Sequence, residues 1–550
     1  MAETYGADYA DLLQLEKGQG DPLGLAAMNE RLYNLVFPGY NNVVRHIRVY
    51  SSLCWMAERV QESYLSDPPS TKQEAKERMK RALQKMELVL LWANEGRLTG
   101  LGVAGVDRPF PQDNRAQSLE FSGWDSKATL MAAAAYGPSI ANGFKFFEGD
   151  QVCTPEGKEL AQAFGANIEP GRATAWLRGV TTLQSTRRQI QKVAPALDLS
   201  AASKDEQTAF MRSFFPVKRG STTELNRANR WTSLQLTLSA IEKLPPGSAT
   251  ETEIRAAMAR GLTPTGGVVV APGMEAMQAA WAVLQLRQLQ RLALETLYGL
   301  VVSWVSAHHR QGLYATDCVD DLRAAALEHY QANKLSSLRD LERQFAKLQG
   351  GAPSLYEAAA ASPETGADVF DGIARMQGRK PEPWGVGTAQ SAAEAINALT
   401  FCAIETANLL AAPHTRAQLK ELAIERCSLT ALERSFRTFH TKTLESWIDF
   451  LVGQWVLVRY AEVTASRGAA PNGHLRFAFT VGERGLELCG PRAEPFRASI
   501  SQDKLFHTLL LLEQSGLVRR EPSEAGDAYS LTAAGRARTA HYQRDRGPTA

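Results

Sequence analysis

A chain of 550 residues is too long for one hydrophobic core, since cores stop growing near ~250–300 residues, so several domains are expected. Hydrophobic residues at 44% and charged residues at 22% match a folded globular protein and exclude a chain disordered throughout. A net charge of +2 excludes a uniformly basic, nucleic-acid-coating surface and leaves room only for a local patch.

The opening "MAETYGADYADLLQLEKGQGD" is polar and acidic, without the basic start and apolar stretch of a signal peptide. Residues 20–60 predict a helix, turn, helix pair. Leu32, Leu35 and Val36, then Val43, Ile47 and Tyr50, recur at helical spacing on either side of Pro38-Gly39. A charged helix follows in "STKQEAKERMKRALQKMELVLLWANE", where acidic residues precede basic ones at helical separations. Next, "FKFF", the turn "EGD" and "QVCT" read as a hairpin, and "TPEGKEL" as a helix entered through a capping Thr and a first-position Pro.

From about 171 to 413 the pattern is almost wholly helical. "GMEAMQAAWAVLQLRQLQRLALETLYGLVVSWVSAHH" is apolar around most of its circumference, which suits a long central helix covered by neighbours. Within it, the apolar run 292–307 contains Glu295 and falls short of the ~20 apolar residues of a membrane span. Residues 350–390, rich in Gly, Pro, Ala and Ser, read as a linker or long loop.

The hairpin pattern returns twice. Residues 441–489 predict a helix at 441–453, a strand "WVLVRYAEV" (455–463), a loop, a strand "HLRFAFTV" (474–481) and then a helix over "GERGLELC". Residues 501–540 give "SQDKLFHTLLLLEQSG", "LVRRE", the turn "PSEAGD", "AYSLT" and the helix "AAGRARTA". The expected fold class is therefore mainly α: a multidomain helical protein with small β-hairpins in winged-helix-like modules. The expected domains are 1–170, an N-terminal helical domain ending in a winged-helix-like unit; 171–349, a central helical domain; 350–413, a linker or long loop plus helix; 414–490, a winged-helix-like domain; and 491–550, a second such unit at the C-terminal end.

At "DPLGL", "VFPGY" and "RHIRVYSSLCW" the chain loosely resembles uncharacterised bacterial proteins of DNA-processing and anti-phage defence islands, of the kind found as accessory subunits in Druantia or DISARM systems. The resemblance covers roughly 40 residues and implies a multi-gene assembly. Separately, "GLVRRE" and "LTAAGRA" resemble the winged helices of bacterial transcriptional regulators. That likeness implies that "DKLFHTLLLLEQSG" is a recognition helix and "RREPSEAGDAY" a wing, although Leu509 to Leu512 supply few side chains able to read base edges.

The C-terminal stretch 414–550 carries 19 Lys+Arg against 15 Asp+Glu, a local excess of +4. Lys504, His507, Arg519, Arg520, Arg536 and Arg538 are the candidate phosphate-contacting residues there, with Arg544 and Arg546 beyond them. A second candidate is "FFPVKRGSTTELNRANRW", where Lys218, Arg219, Arg227 and Arg230 stand among Phe214, Phe215 and Trp231, a mixture able to hold a backbone and stack bases. The bland reading of both is a solvated surface anchored by core aromatics.

The most enzyme-like cluster is His308, His309, Asp317, Asp320 and Asp321, whose imidazoles and carboxylates suit a divalent metal. Against it, adjacent helical histidines diverge by about 100°, and Asp317 stands where a helix begins. Other signatures fail on spacing. "HTK" at 440–442 has no Asp five residues on, as phospholipase-D-like nucleases require. "TPTGGVVVAPGM" lacks a Gly-Lys-Ser/Thr ending, and "GVGTAQ" is too short for a dinucleotide site. Glu120, Asp125 and Lys127 look loop-borne. The six cysteines, none in CxxC spacing, read as reduced packing residues, and neither metal nor cofactor is expected.

The expectation is a cytoplasmic, non-catalytic DNA-binding or scaffold subunit of a bacterial anti-phage defence or DNA-processing complex. Its partners would be DNA and other subunits, a helicase or nuclease among them, and no membrane. The alternatives are a metal-dependent nuclease or hydrolase around His308–Asp321 and a pure protein–protein scaffold.

Overall fold

The computed structural model describes residues 21–94, 112–120, 130–131, 136–168, 174–217, 225–308, 311–350, 352, 355, 368–379, 383–385, 387–423, 427–467, 478–482, 485–489, 496–500, 503–523 and 526–545. The protein is mainly α, with β-structure confined among these residues to small two-stranded sheets. No helix among them is long and apolar enough to cross a membrane. The chain divides into two compact units, and neither is a continuous stretch. The first comprises Met1–Val36, Lys243–Pro245 and Thr252–Ser501; the second comprises Phe37–Glu242, Pro246–Glu251 and Gln502–Ala550.

The first unit is built on the 34-residue helix Glu275–His308, of which 24 residues are buried, the stretch 279–295 without a break. Helices Ala26–Val36, Val369–Gly378, Thr388–Ala411 and Pro413–Glu421 pack along it. Thr388–Ala411 is rich in Ala and Thr, so two backbones approach closely: Cys402 Sγ reaches the Leu286 carbonyl at 3.6 Å. Ala315–Ala332 covers Thr388–Ala411 on another side, and Tyr330 donates to the Ala393 carbonyl at 3.2 Å.

The expected strand 455–463 is helical. Leu451–Val458 is a π-helical segment that continues into the helix Arg459–Arg467. Its buried residues Val452, Trp455, Val456, Tyr460 and Val463 recur at three and four, so the β-branched run satisfies helical burial as well as strand alternation, and the helical neighbours decide. The hairpin present is a different one: Phe479–Gly482 pairs with Gly485–Leu488, so the segment expected to be a helix after the second strand is itself a strand, and residues 474–477 of the expected strand lie outside the described residues. Most of 351–367 does too, while Val369–Gly378, inside the expected linker, is a helix.

The second unit gathers Ile47–Ser63, Lys72–Ala93, Pro155–Gly165, Lys204–Phe214, Leu225–Lys243 and the C-terminal elements. Its first hairpin matches the sequence reading. Phe147–Glu148 pairs with Val152–Cys153, Thr154 Oγ1 accepts from the Gly157 amide at 3.1 Å, and Pro155 opens the helix. An aromatic core formed by Tyr50, Phe144, Phe146, Phe210 and Phe214, with ring centroids 5.2–6.1 Å apart where they touch, joins these helices. Buried within the unit, Arg48 donates to Glu206 Oε2 at 3.0 Å, and Glu206 also accepts from Ser51 at 2.7 Å and from the Ser203 amide at 3.0 Å.

Candidate nucleic-acid interface

The C-terminal elements form the expected helix, hairpin, helix series. Leu505–Gln514 ends in a Schellman arrangement: the Leu517 amide donates to Leu512 O at 3.0 Å and the Gly516 amide to Glu513 O at 2.9 Å. Gly516 stands at φ +72, a conformation that suits glycine. Val518–Ser523 then pairs with Gly526–Leu531, Arg520 opposite Tyr529. Thr532 Oγ1 closes the hairpin onto the Gly516 carbonyl at 2.7 Å and accepts from the Gly535 amide at 3.1 Å, capping the helix Ala533–Asp545.

The helix expected to enter a groove is instead an interior helix of the second unit. His507 is fully buried and its Nδ1 meets the Val44 carbonyl at 3.0 Å; burial holds the imidazole down to about 4, so the ring is neutral. Thr508 Oγ1 is 2.5 Å from the Tyr40 hydroxyl. Gln514 donates to Arg45 O at 2.6 Å and accepts from the Ile47 amide at 3.0 Å. Lys504, at φ +67, buries its ammonium against the Phe37 carbonyl at 3.1 Å and 5.7 Å from the Tyr40 ring centroid. Lys504 and His507 are therefore corrected from phosphate contacts to internal ties. In the apolar run Leu509–Leu512, Leu509, Leu511 and Leu512 are core, which explains why it offers no base-reading side chains.

The outer face of the hairpin is different. Arg519 is 74% exposed and lies 3.1 Å from Glu521, two residues on along the same strand face. Arg520 bridges Glu513 at 3.3 Å and Asp527 at 3.2 Å. Arg536 is exposed, with Nη1 on the Leu531 carbonyl at 2.7 Å. Arg538 turns inward to lie 5.0 Å from the Phe215 ring centroid, and burial lowers its pKa. Arg519 and Arg520 are thus matched by carboxylates, while Arg536 is held by a backbone carbonyl.

In the second candidate stretch, Arg230 is 2% exposed and spends its guanidinium on backbone carbonyls: Phe214 at 3.2 Å, Ser213 at 2.9 Å, Pro38 at 3.1 Å and Gly143 at 3.2 Å. Four of its N–H groups are so engaged and the group is buried away from any phosphate, so it too is corrected to an internal tie. Arg227 is half-buried and donates to the Arg212 carbonyl at 2.9 Å. Phe214 and Phe215 are core residues, and Trp231 donates to the Pro216 carbonyl at 3.0 Å, so these rings are not free to stack bases. Lys218 and Arg219 lie outside the described residues.

In the first unit the candidate metal cluster is dispersed into separate local tasks. Asp317 caps its helix through the Tyr314 amide at 2.7 Å, Asp320 pairs with Arg323 at 2.7 Å, and Asp321 accepts from the Trp304 indole at 2.8 Å. His308 Nδ1 meets the Trp304 carbonyl at 2.9 Å. His309, Asp125 and Lys127 lie outside the described residues. Among the described residues no group of three or more His, Cys, Asp or Glu is arranged to hold a metal ion. His440 pairs with Glu342 at 2.6 Å, and the Lys442 ammonium lies 4.4 Å from the Phe439 ring centroid; Glu120 faces Arg81 at 3.6 Å.

Sequence reasoning missed the polar interior of Glu275–His308, whose stretch 285–295 reads QLRQLQRLALE with all six polar residues buried. The signal was legible as a polar run inside a helix expected to be covered on most sides. The chain matches no protein-family model, and no curated protein or solved structure is significantly similar to it.

Proposed function

We propose that this chain is a non-catalytic scaffold subunit of a bacterial DNA-processing or anti-phage defence assembly, in which its winged-helix-like end is used as a structural module. The observation that supports this reading is the inward commitment of Leu505–Gln514. The element that would read a DNA groove in a regulator is here bonded along one side, from end to end, to residues 37–47. A helix so enclosed stiffens a platform, and partner proteins then meet the surface that the platform presents. One fold serves many functions, and the surroundings of this module, more than its shape, set its use.

A second reading, DNA contact through the hairpin and the helix after it, is favoured by the exposure of Arg519 on the hairpin and of Arg536 on that helix. In that mode the chain touches phosphates without reading bases, and affinity falls steeply with salt. Fluorescence anisotropy of labelled duplex titrated with the full chain at low and moderate salt separates the two. Salt-independent absence of binding leaves the scaffold reading standing. Salt-sensitive binding that weakens severalfold in Arg519→Ala/Arg536→Ala replaces it with the second. Co-purification with products of adjacent genes tests the scaffold role itself, and a monomeric chain that captures none of them would overturn it.

A further inference from the structure

The first unit contains a polar layer that neither reading uses. In Glu275–His308, Arg291 Nε is bonded to Glu295 Oε1 at 2.6 Å, and Glu295 Oε2 accepts from the Ser499 amide at 3.1 Å, so this carboxylate is engaged at both oxygens. Arg287 donates to Gln290 Oε1 at 2.6 Å on the adjoining face. Three side chains on this helix and on Ala26–Val36 keep polar atoms with no hydrogen-bond partner among the described residues: Arg291 Nη1, Gln288 Nε2, and both Nδ2 and Oδ1 of Asn29. All three residues are at least 96% buried.

Helical geometry brings these residues toward one another. At ~100° per residue, Gln288, Arg291 and Glu295 lie on one face of the long helix. Ala26–Val36 packs against that helix, and Tyr33, which together with Glu295 and Asp21 interacts electrostatically with Arg291, stands one turn after Asn29 on the same face. The unmet atoms are three donors, one of them on a guanidinium, and a single acceptor. Buried donors are rarely left unmet in folded proteins, and leucine would fill these positions at lower cost. Facing helices of a bundle are where side chains most readily enclose a small ligand.

We propose that Asn29, Gln288 and Arg291 form a buried binding site for a small oxyanion, a carboxylate or inorganic phosphate. The guanidinium supplies charge through Nη1 while Glu295 fixes its plane through Nε. The two amides supply neutral donors, and Asn29 Oδ1 accepts from any hydroxyl the anion carries. The site is independent of the scaffold reading.

The test is thermal unfolding of the full chain in acetate and in phosphate, each against chloride at equal ionic strength. The expected result is a saturable rise of a few degrees with one oxyanion and not with chloride. Acetate or phosphate, whichever acts, names the class. The rise is expected to vanish in Gln288→Leu and in Asn29→Asp; the second is nearly isosteric and places a negative charge where the anion would sit, which guards against a variant that does not fold. No rise beyond chloride, a rise that persists undiminished in Asn29→Asp, or a crystal structure grown in the active anion showing only water against these atoms would overturn the proposal.

Discussion

The guanidinium of Arg230 lies over the ring of Phe144, its central carbon 5.0 Å from the centroid, while its nitrogens tie the carbonyls of Pro38 and Gly143 to those of Ser213 and Phe214. One side chain therefore joins three separate stretches of the second unit. Arg230→Met should lower stability by at least ~3 kcal/mol, because several buried carbonyls lose their donors. Arg230→Lys should recover only part of this, since an ammonium lacks the planar fork. Urea unfolding at unchanged slope measures both. A fully stable Arg230→Met that loses only nucleic-acid affinity would reinstate Arg230 as a binding residue.

Glu206 accepts from Arg48, Ser51, Asn167 and its own capping amide while fully buried. Removing one partner leaves the other charge stranded, so Glu206→Ala should cost about 3–5 kcal/mol. The joint change Arg48→Met/Glu206→Ala should cost less than the two single changes added together. A double-mutant cycle reads that coupling, and strict additivity would contradict it.

The buried imidazoles of His507 and His46 are each held down to about 4, in both cases chiefly by burial. Their folded values lie below the ordinary 6.5, so the unfolded chain takes up protons first as the pH falls. Their contribution is complete above pH ~6.5 and is lost toward pH ~4, to the extent of about 3 kcal/mol for each. His507→Asn keeps a donor for the Val44 carbonyl and should flatten that acid limb. Unfolding midpoints across the window provide the check.

Glu87 and Lys85, both buried in Lys72–Ala93, act at higher pH, Glu87 in the opposite sense to the histidines and Lys85 in the same sense. Burial pushes the Glu87 carboxyl up to about 8, its bond from the Leu130 amide opposing, and burial lowers the Lys85 ammonium to about 7. The folded state therefore holds the Glu87 proton longer, and stability falls as the pH rises from ~4.5 to ~8. For Lys85 the unfolded chain holds the proton longer, so stability rises from pH ~7 to ~10.5. Glu87→Gln should remove the descending limb and leave the ascending one. If the variant and the parent chain fall in parallel between pH 5 and 8, the carboxyl is not the group responsible.

The local grammar of the fold was legible where the signals are themselves local. Thr154-Pro155, Gly516 and Thr532 mark their caps and turns in the sequence as clearly as in the structure. "WVLVRYAEV" was not legible, because a short β-branched run fits either period and its neighbours choose. The candidate site failed for a different reason. Whether a lysine is a surface cation or an interior tie depends on what returns to cover it, and Lys504 meets a carbonyl 467 positions away. Arg519 stayed exposed and Arg230 did not, though both sit in basic stretches flanked by apolar residues. No periodicity distinguishes them.

The pairing of residues 37–47 with 504–514 also bears on synthesis. The earlier segment leaves the ribosome hundreds of residues before the helix that completes its packing, and at ~5–20 residues per second that interval lasts tens of seconds. Until then Val44, Phe37 and Tyr40 lack their native cover, so the nascent protein passes through a long, sticky, unfinished state. Loss of the last fifty residues by premature termination would leave it there permanently, exposed to chaperones and proteases.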